Sequence, residues 1–300
     1  MKEFFPFFML KKIEWEFKML RNIKTQISIL IRQKSANYCF LLMLAAVFIN
    51  YIYNLISLRG VDAGDIPNYL YFSVLSNDNP FGWYILTFFA FLIAMPGGFS
   101  LAKEKHTKMN LQLITRYGSR LRYYSGKIVA VMFVTFICFF IPLVVELILN
   151  LVAFPRNSAA NMVDIRIAFD TEVNYLDNGF MYGVFQRTPH IYAIVKILYT
   201  SFVASLLSLV PLAFSCIYAK YYTYLFLPLY FMLAFYQGSV FEIFGYYPNH
   251  NYLGYFWWGL MKNNRTDYIY FTGLVIFVAL VSAIVIIVNS IVGGLENETV

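Results

Sequence analysis

Few side chains in this sequence are placed to do chemistry. Three histidines, His106, His190 and His250, are scattered along 300 residues, and no H-E-x-x-H or G-x-S-x-G sequence accompanies them. Metalloprotease and serine-hydrolase chemistry therefore lack their parts, and an isolated histidine reads as a solvated loop residue. Cys39, Cys138 and Cys216 each stand inside an apolar stretch, so neither a disulfide framework nor a cysteine-based zinc site is expected. The phosphate-cradling G-x-x-x-x-G-K-[ST] loop is absent, so ATP hydrolysis is not expected within this chain. What stands out instead are two charges inside apolar runs, Glu146 and Lys196, and a Lys103-Glu104-Lys105 triplet just beyond another run.

The elements that hold these residues belong to a membrane protein. The chain is 60% hydrophobic, 20% aromatic and only 13% charged, with a mean hydropathy of +0.61. A soluble domain carries about 25% charged residues, so a water-soluble fold is excluded and the lipid bilayer is the natural solvent. Six runs reach the roughly 20 apolar residues a helix needs to cross the hydrocarbon. Each is about twice the length of a barrel strand, which leaves helices as the spanning element. The reading is an all-α polytopic membrane protein forming a single transmembrane domain over 1–300, with spans at about 37–57, 81–100, 128–151, 191–218, 221–242 and 268–292. The first run is too long, and lies too far from the start, for a cleavable signal peptide. Pro96, Pro142, Pro211 and Pro228 fall within spans and predict bends. Lys220 alone separates the fourth and fifth runs, which predicts a tight hairpin.

Charge sets the orientation. Segment 1–34 and loop 101–127 hold fifteen Lys and Arg, whereas the loops around 59–78, 153–190 and 244–267 hold six. The positive-inside rule then places both termini in the cytoplasm. The net charge of +7 is accounted for by topology and anionic lipid, so nucleic acid is not needed as a partner. Within 1–34, Ile13, Phe17, Leu20, Ile27, Leu30 and Ile31 fall close to one helical face, with Trp15 suited to the headgroup zone. That pattern describes an amphipathic interfacial helix; a disordered basic tail is the alternative.

Just before loop 101–127, Pro96-Gly97-Gly98 breaks the second span; a short charged helix follows, and Gly118-Ser119 makes a turn before Lys127. Lys103-Glu104-Lys105, Leu111–Leu113, Gly118-Ser119-Arg120 and Lys127 together resemble the intracellular loop of ABC-2 type permeases, the membrane subunits of ATP-driven transporters. The chain departs from that pattern at His106-Thr107, where the family often has Gly-Thr, and at Gly118-Ser119, where it often has Pro-Ser. The resemblance implies a coupling helix that docks on a separate ATP-binding-cassette ATPase through Lys103, Glu104, Lys105, Leu111, Leu113, Arg116 and Arg120. ATP and magnesium would then be bound by that partner, with no cofactor in this chain. A loop whose Lys and Arg only enforce topology is the bland reading, and the two are compatible.

At the opposite side, Glu146 lies about 27 Å along its span from Ile128, and Lys196 about 7 Å inward from Ile191. A charge within a span costs roughly 2.5–3.5 kcal/mol, so both are expected to face protein or water, either as an ion pair with each other or as substrate contacts. Asn50, Tyr51, Tyr53 and Asn54 add polar groups at the same level. Residues 243–267 are dense in aromatics, among them Tyr246, Tyr247, Tyr255, Phe256, Trp257 and Trp258, and read as a re-entrant external segment or an aromatic belt. Loop 153–190 is the longest external segment and has no assigned ligand.

The resemblance implies one permease half of an exporter in a bacterial cytoplasmic membrane, paired with a second copy or a sister permease. An amphipathic peptide, a lipid or an antimicrobial compound is the implied cargo. A polytopic membrane enzyme, or an accessory protein of cell-envelope assembly, is the alternative.

Overall fold

The structure is a computed structural model that describes residues 19–62, 65–66, 69–70, 72–75, 80–156, 184, 187–217, 224–237 and 265–295. Its regular elements among these residues are helices: α1 (19–31), α2 (Lys34–Ser57), α3 (Pro80–Thr87), α4 (Phe89–Gly97), α5 (Ser100–His106), α6 (Met109–Tyr117), α7 (Arg120–Ala153), α8 (Pro189–Leu207), α9 (Leu209–Ile217), α10 (Leu227–Gln237) and α11 (Arg265–Leu295). Four runs, Lys34–Ser57, Arg120–Ala153, His190–Ile217 and Tyr268–Val292, are long and apolar enough to cross a membrane. Their outward faces are apolar too, as at Ile56, Phe277 and Leu280, as expected of helices solvated by lipid tails.

The 34-residue α7 is the axis of the bundle. It packs along α2 and α8, and touches α4 and α11 as well. Its buried stripe Ala130, Val131, Val134, Cys138 and Phe139 recurs at three- and four-residue steps, the period that turns one helical face inward.

The prolines act unequally. Pro96 sits inside α4, where it has no N–H for the carbonyl of Leu92, and Cys39 Sγ on α2 donates to that carbonyl at 3.3 Å. Pro211 removes the partner of the Leu207 carbonyl, and the helix is interrupted there, at Ser208 between α8 and α9. Pro142, by contrast, lies within an unbroken α7, and Pro228 falls in the first turn of α10, where a missing N–H costs little.

The segment expected as one span over 81–100 is two short helices, α3 and α4, meeting at Phe88. Of the expected span 221–242, residues 224–237 are described, and α10 is the α-helix within them. Residues 1–18, most of loop 153–190, the hairpin around Lys220 and most of segment 243–267 lie outside the described residues. Tyr246, Tyr247, Tyr255, Phe256, Trp257 and Trp258 are among them.

Candidate functional site

A buried polar construction lies at the end of the bundle where α1, α5, α6 and the start of α7 meet. The turn between α6 and α7 is made by Gly118, at φ 67°, a left-handed conformation that glycine adopts without a Cβ clash. Its N–H closes α6 on the carbonyl of Ile114 at 2.9 Å, after which α7 runs back into the bundle. The single short helix expected between Pro96-Gly97-Gly98 and Gly118 is two helices, because Lys108 takes a left-handed φ of 54° and turns the chain between α5 and α6.

On α5 the carboxylate of Glu104 points inward and is only 2% exposed. It accepts from the ammonium of Lys127 and from the hydroxyl of Tyr123, both on α7. Lys127, with no exposed surface, also donates to Gln26 Oε1 on α1 at 3.3 Å. A few residues away, Asn22 of α1 donates to the carbonyl of Arg122. Gly126 permits that approach, since a Cβ there would stand 2.4 Å from Asn22 Nδ2. One buried charge pair and its hydrogen bonds thus join three elements that are remote in sequence.

The α1 face turned inward is Asn22, Gln26 and Leu30, at i, i+4, i+8, with Ile27 and Ile29 partly buried against the same core. Leu20 and Ile31 point outward, at 64% and 51% exposure, while Ile13 and Phe17 lie outside the described residues. The expected apolar face of α1 is thus divided, with Ile27 and Leu30 meeting the bundle beside the two amides and Leu20 and Ile31 facing outward.

The residues expected to form a docking surface divide into two groups. Lys103, Leu111 and Arg116 are exposed, with Leu111 at 53%. Glu104 and Leu113 are buried, Leu113 with Ile114 and Tyr117 packing α6 onto the core. Lys105 is half-buried and donates to the backbone carbonyl of Cys216 at the end of α9, and burial lowers its pKa from the ordinary value. Arg120 is half-buried at the start of α7. Burial likewise raises the pKa of the Tyr117 phenol.

The two isolated charges lie about 28 Å farther along, at the other end of α7. Glu146, 2% exposed, accepts from Val74 N–H, from Ser73 Oγ at 3.1 Å and from Asn50 Nδ2 at 3.2 Å. Asn50 and Asn54 of α2 also donate to the carbonyl of Phe72, at 2.8 and 3.1 Å. The carboxylate therefore anchors the segment 72–75 across the bundle end, where the Phe72 ring packs tilted against Phe154, centres 4.2 Å apart. Tyr69 stacks on and hydrogen-bonds His190 beside it, and its burial pushes the phenol pKa up to about 12.

Lys196, 3% exposed, donates to the hydroxyl of Tyr268 and sits 4.7 Å from the centre of that ring. The ion pair expected between Glu146 and Lys196 is not formed. Helix length places them at one depth, but their side chains leave α7 and α8 in different directions, Glu146 toward α2 and Lys196 toward α11. No group of three or more His, Cys, Asp or Glu residues able to hold a metal ion occurs among the described residues.

Comparison of the chain with protein-family models, with curated proteins and with solved structures finds no match in any of the three.

Proposed function

We propose that this chain is the permease subunit of an ABC-2 type, ATP-driven exporter in a bacterial cytoplasmic membrane, with six spans and both termini in the cytoplasm. The observation that carries the reading is the buried Glu104–Lys127 pair between α5 and α7. A coupling element needs an outer face that a partner can push and an inner attachment that passes the push on. Lys103, Leu111 and Arg116 supply the outer face; Glu104, bound to α7 and through Lys127 to α1, supplies the attachment.

In this account a separate ATPase subunit binds ATP and magnesium and closes against α5–α6. The buried pair makes α5, α1 and the start of α7 move together, and α7 extends to the opposite end, where Glu146 holds segment 72–75. Nucleotide must favour one of two permease arrangements for this to do work. A second permease, identical or sister, completes the pathway, and the cargo is an amphipathic peptide, a lipid or an antimicrobial compound.

The test is a photo-crosslinking residue at position 111 in native membranes. It is expected to capture a chain containing a G-x-x-x-x-G-K-[ST] loop, whereas the same residue at position 56 is not. Equal capture of that chain from both positions, or its capture from neither, would overturn the assignment of α6 as the docking element.

A further inference from the structure

A cavity of about 170 Å³ opens between α5, α6, the start of α7 and the end of α11. Its polar lining is Lys105, Asn110, Arg120, Tyr124, Asn289 and Ser290. No carboxylate lines it among the described residues, so two cationic side chains and two carboxamides converge on one concave space. The nearest buried carboxylate, Glu104, is engaged by Lys127 and Tyr123. Arg120 opens α7, whose first turn has no side-chain cap from Ser119 and no acidic residue, so the positive end of a long helix adds to the same field.

We infer that this cavity binds a phosphate group, and that an anionic phospholipid supplies it. Arg presents a planar fork of donors suited to phosphate oxygens, and the Lys105 ammonium has donors beyond the one on Cys216. The volume lies below the roughly 300–1,000 Å³ of sites that enclose drug-sized ligands, which suits a headgroup and not a nucleotide. The surroundings favour a lipid as the source. Ile284, Val288, Ile291 and Val292 form an exposed apolar stripe on α11 beside Asn289 and Ser290. A phosphate seated between Arg120 and Lys105 would leave its acyl chains along that stripe, within the layer where α11 is solvated by lipid. Basic pockets between helices at a membrane boundary are suited to anionic headgroups for the same electrostatic reason. The site would place a lipid against both α6 and α7, so its occupancy would brace the turn at Gly118.

The inference concerns the chain alone and does not depend on an ATPase partner. The purified full-length protein in detergent is titrated with phosphatidylglycerol or phosphatidylcholine and followed by native mass spectrometry and thermal unfolding. Phosphatidylglycerol is expected to be retained as one tightly held copy that raises the melting temperature, and phosphatidylcholine is not. Arg120→Gln and, separately, Asn289→Leu are expected to weaken phosphatidylglycerol retention about tenfold, the loss of one charge-assisted contact. Arg59→Gln, just beyond the C-terminal end of α2, is expected to leave it unchanged. Equal retention of the two lipids, or full retention by both folded cavity variants, would overturn the site. Displacement of phosphatidylglycerol by millimolar inorganic phosphate would overturn the lipid as its source.

Discussion

The two ends of α7 each bury a carboxylate, and they satisfy it in different ways. Glu104 meets a buried ammonium, so neither charge has bulk water as its alternative. Glu146 meets amide and hydroxyl donors, while the buried cation at its level, Lys196, goes to Tyr268. A buried ion pair is a poor source of net stability, because desolvation offsets most of the attraction, but losing one partner strands the other charge. Such a pair is therefore suited to fixing the register of the elements that carry it. A carboxylate held by loop N–H and hydroxyl donors fastens a loop and gives way in smaller steps. The comparison assigns rigid linkage to the α1–α5–α7 end and loop anchoring to the far end.

The largest expected effect breaks the linkage. Lys127→Met is expected to destabilise the chain by about 3–5 kcal/mol by stranding Glu104, while adding Glu104→Leu restores most of that loss. Denaturation of the two single variants and the double variant measures the coupling. Next, Glu146→Gln is expected to cost about 1–3 kcal/mol through the weakened hydrogen bonds to Ser73 and Val74. Faster hydrogen exchange confined to 72–75 is the accompanying sign of loop anchoring. Because Glu146 and Lys196 do not pair, Glu146→Gln and Lys196→Gln are expected to be additive within about 0.5 kcal/mol. A larger coupling between them would erase the contrast between the two ends.

Gly126→Val should push Asn22 away and loosen α1, at an overpacking cost of about 1–3 kcal/mol. Exchange rising in 19–31, with 72–75 unchanged, would keep the two ends independent. The smallest effect is Lys108→Gly, which removes a left-handed penalty of about 1 kcal/mol and should raise the melting temperature slightly. Its transport rate should fall if the turn between α5 and α6 must stay set.

The long apolar helices were legible because about 20 uncharged residues in a row leave little alternative in lipid. So was the turn at Gly118, where an amphipathic run ends on a residue that tolerates positive φ. The burial of Glu104 was not, since Lys-Glu-Lys reads as surface charge and its partner lies 23 residues away. Spacing along a helix gives depth but not direction, which is why Glu146 and Lys196 could be set at one level and still not meet. The inward face of α1 was legible only in its apolar part, Ile27 and Leu30. Hydrophobic periodicity marks Ile27 and Leu30 but carries no information about Asn22 and Gln26, which turn inward beside them. The Asn22-to-Gln26 spacing was the available signal, and it becomes informative only once Arg122 and Lys127 are seen to face it.

Purification of the tagged chain from native membranes tests the proposal most directly. The account predicts that an ATP-binding-cassette subunit copurifies in a fixed ratio, with ATPase activity that Lys127→Met uncouples from transport and the Glu104→Leu/Lys127→Met pair partly recouples. A folded chain that copurifies with no nucleotide-binding subunit would contradict it.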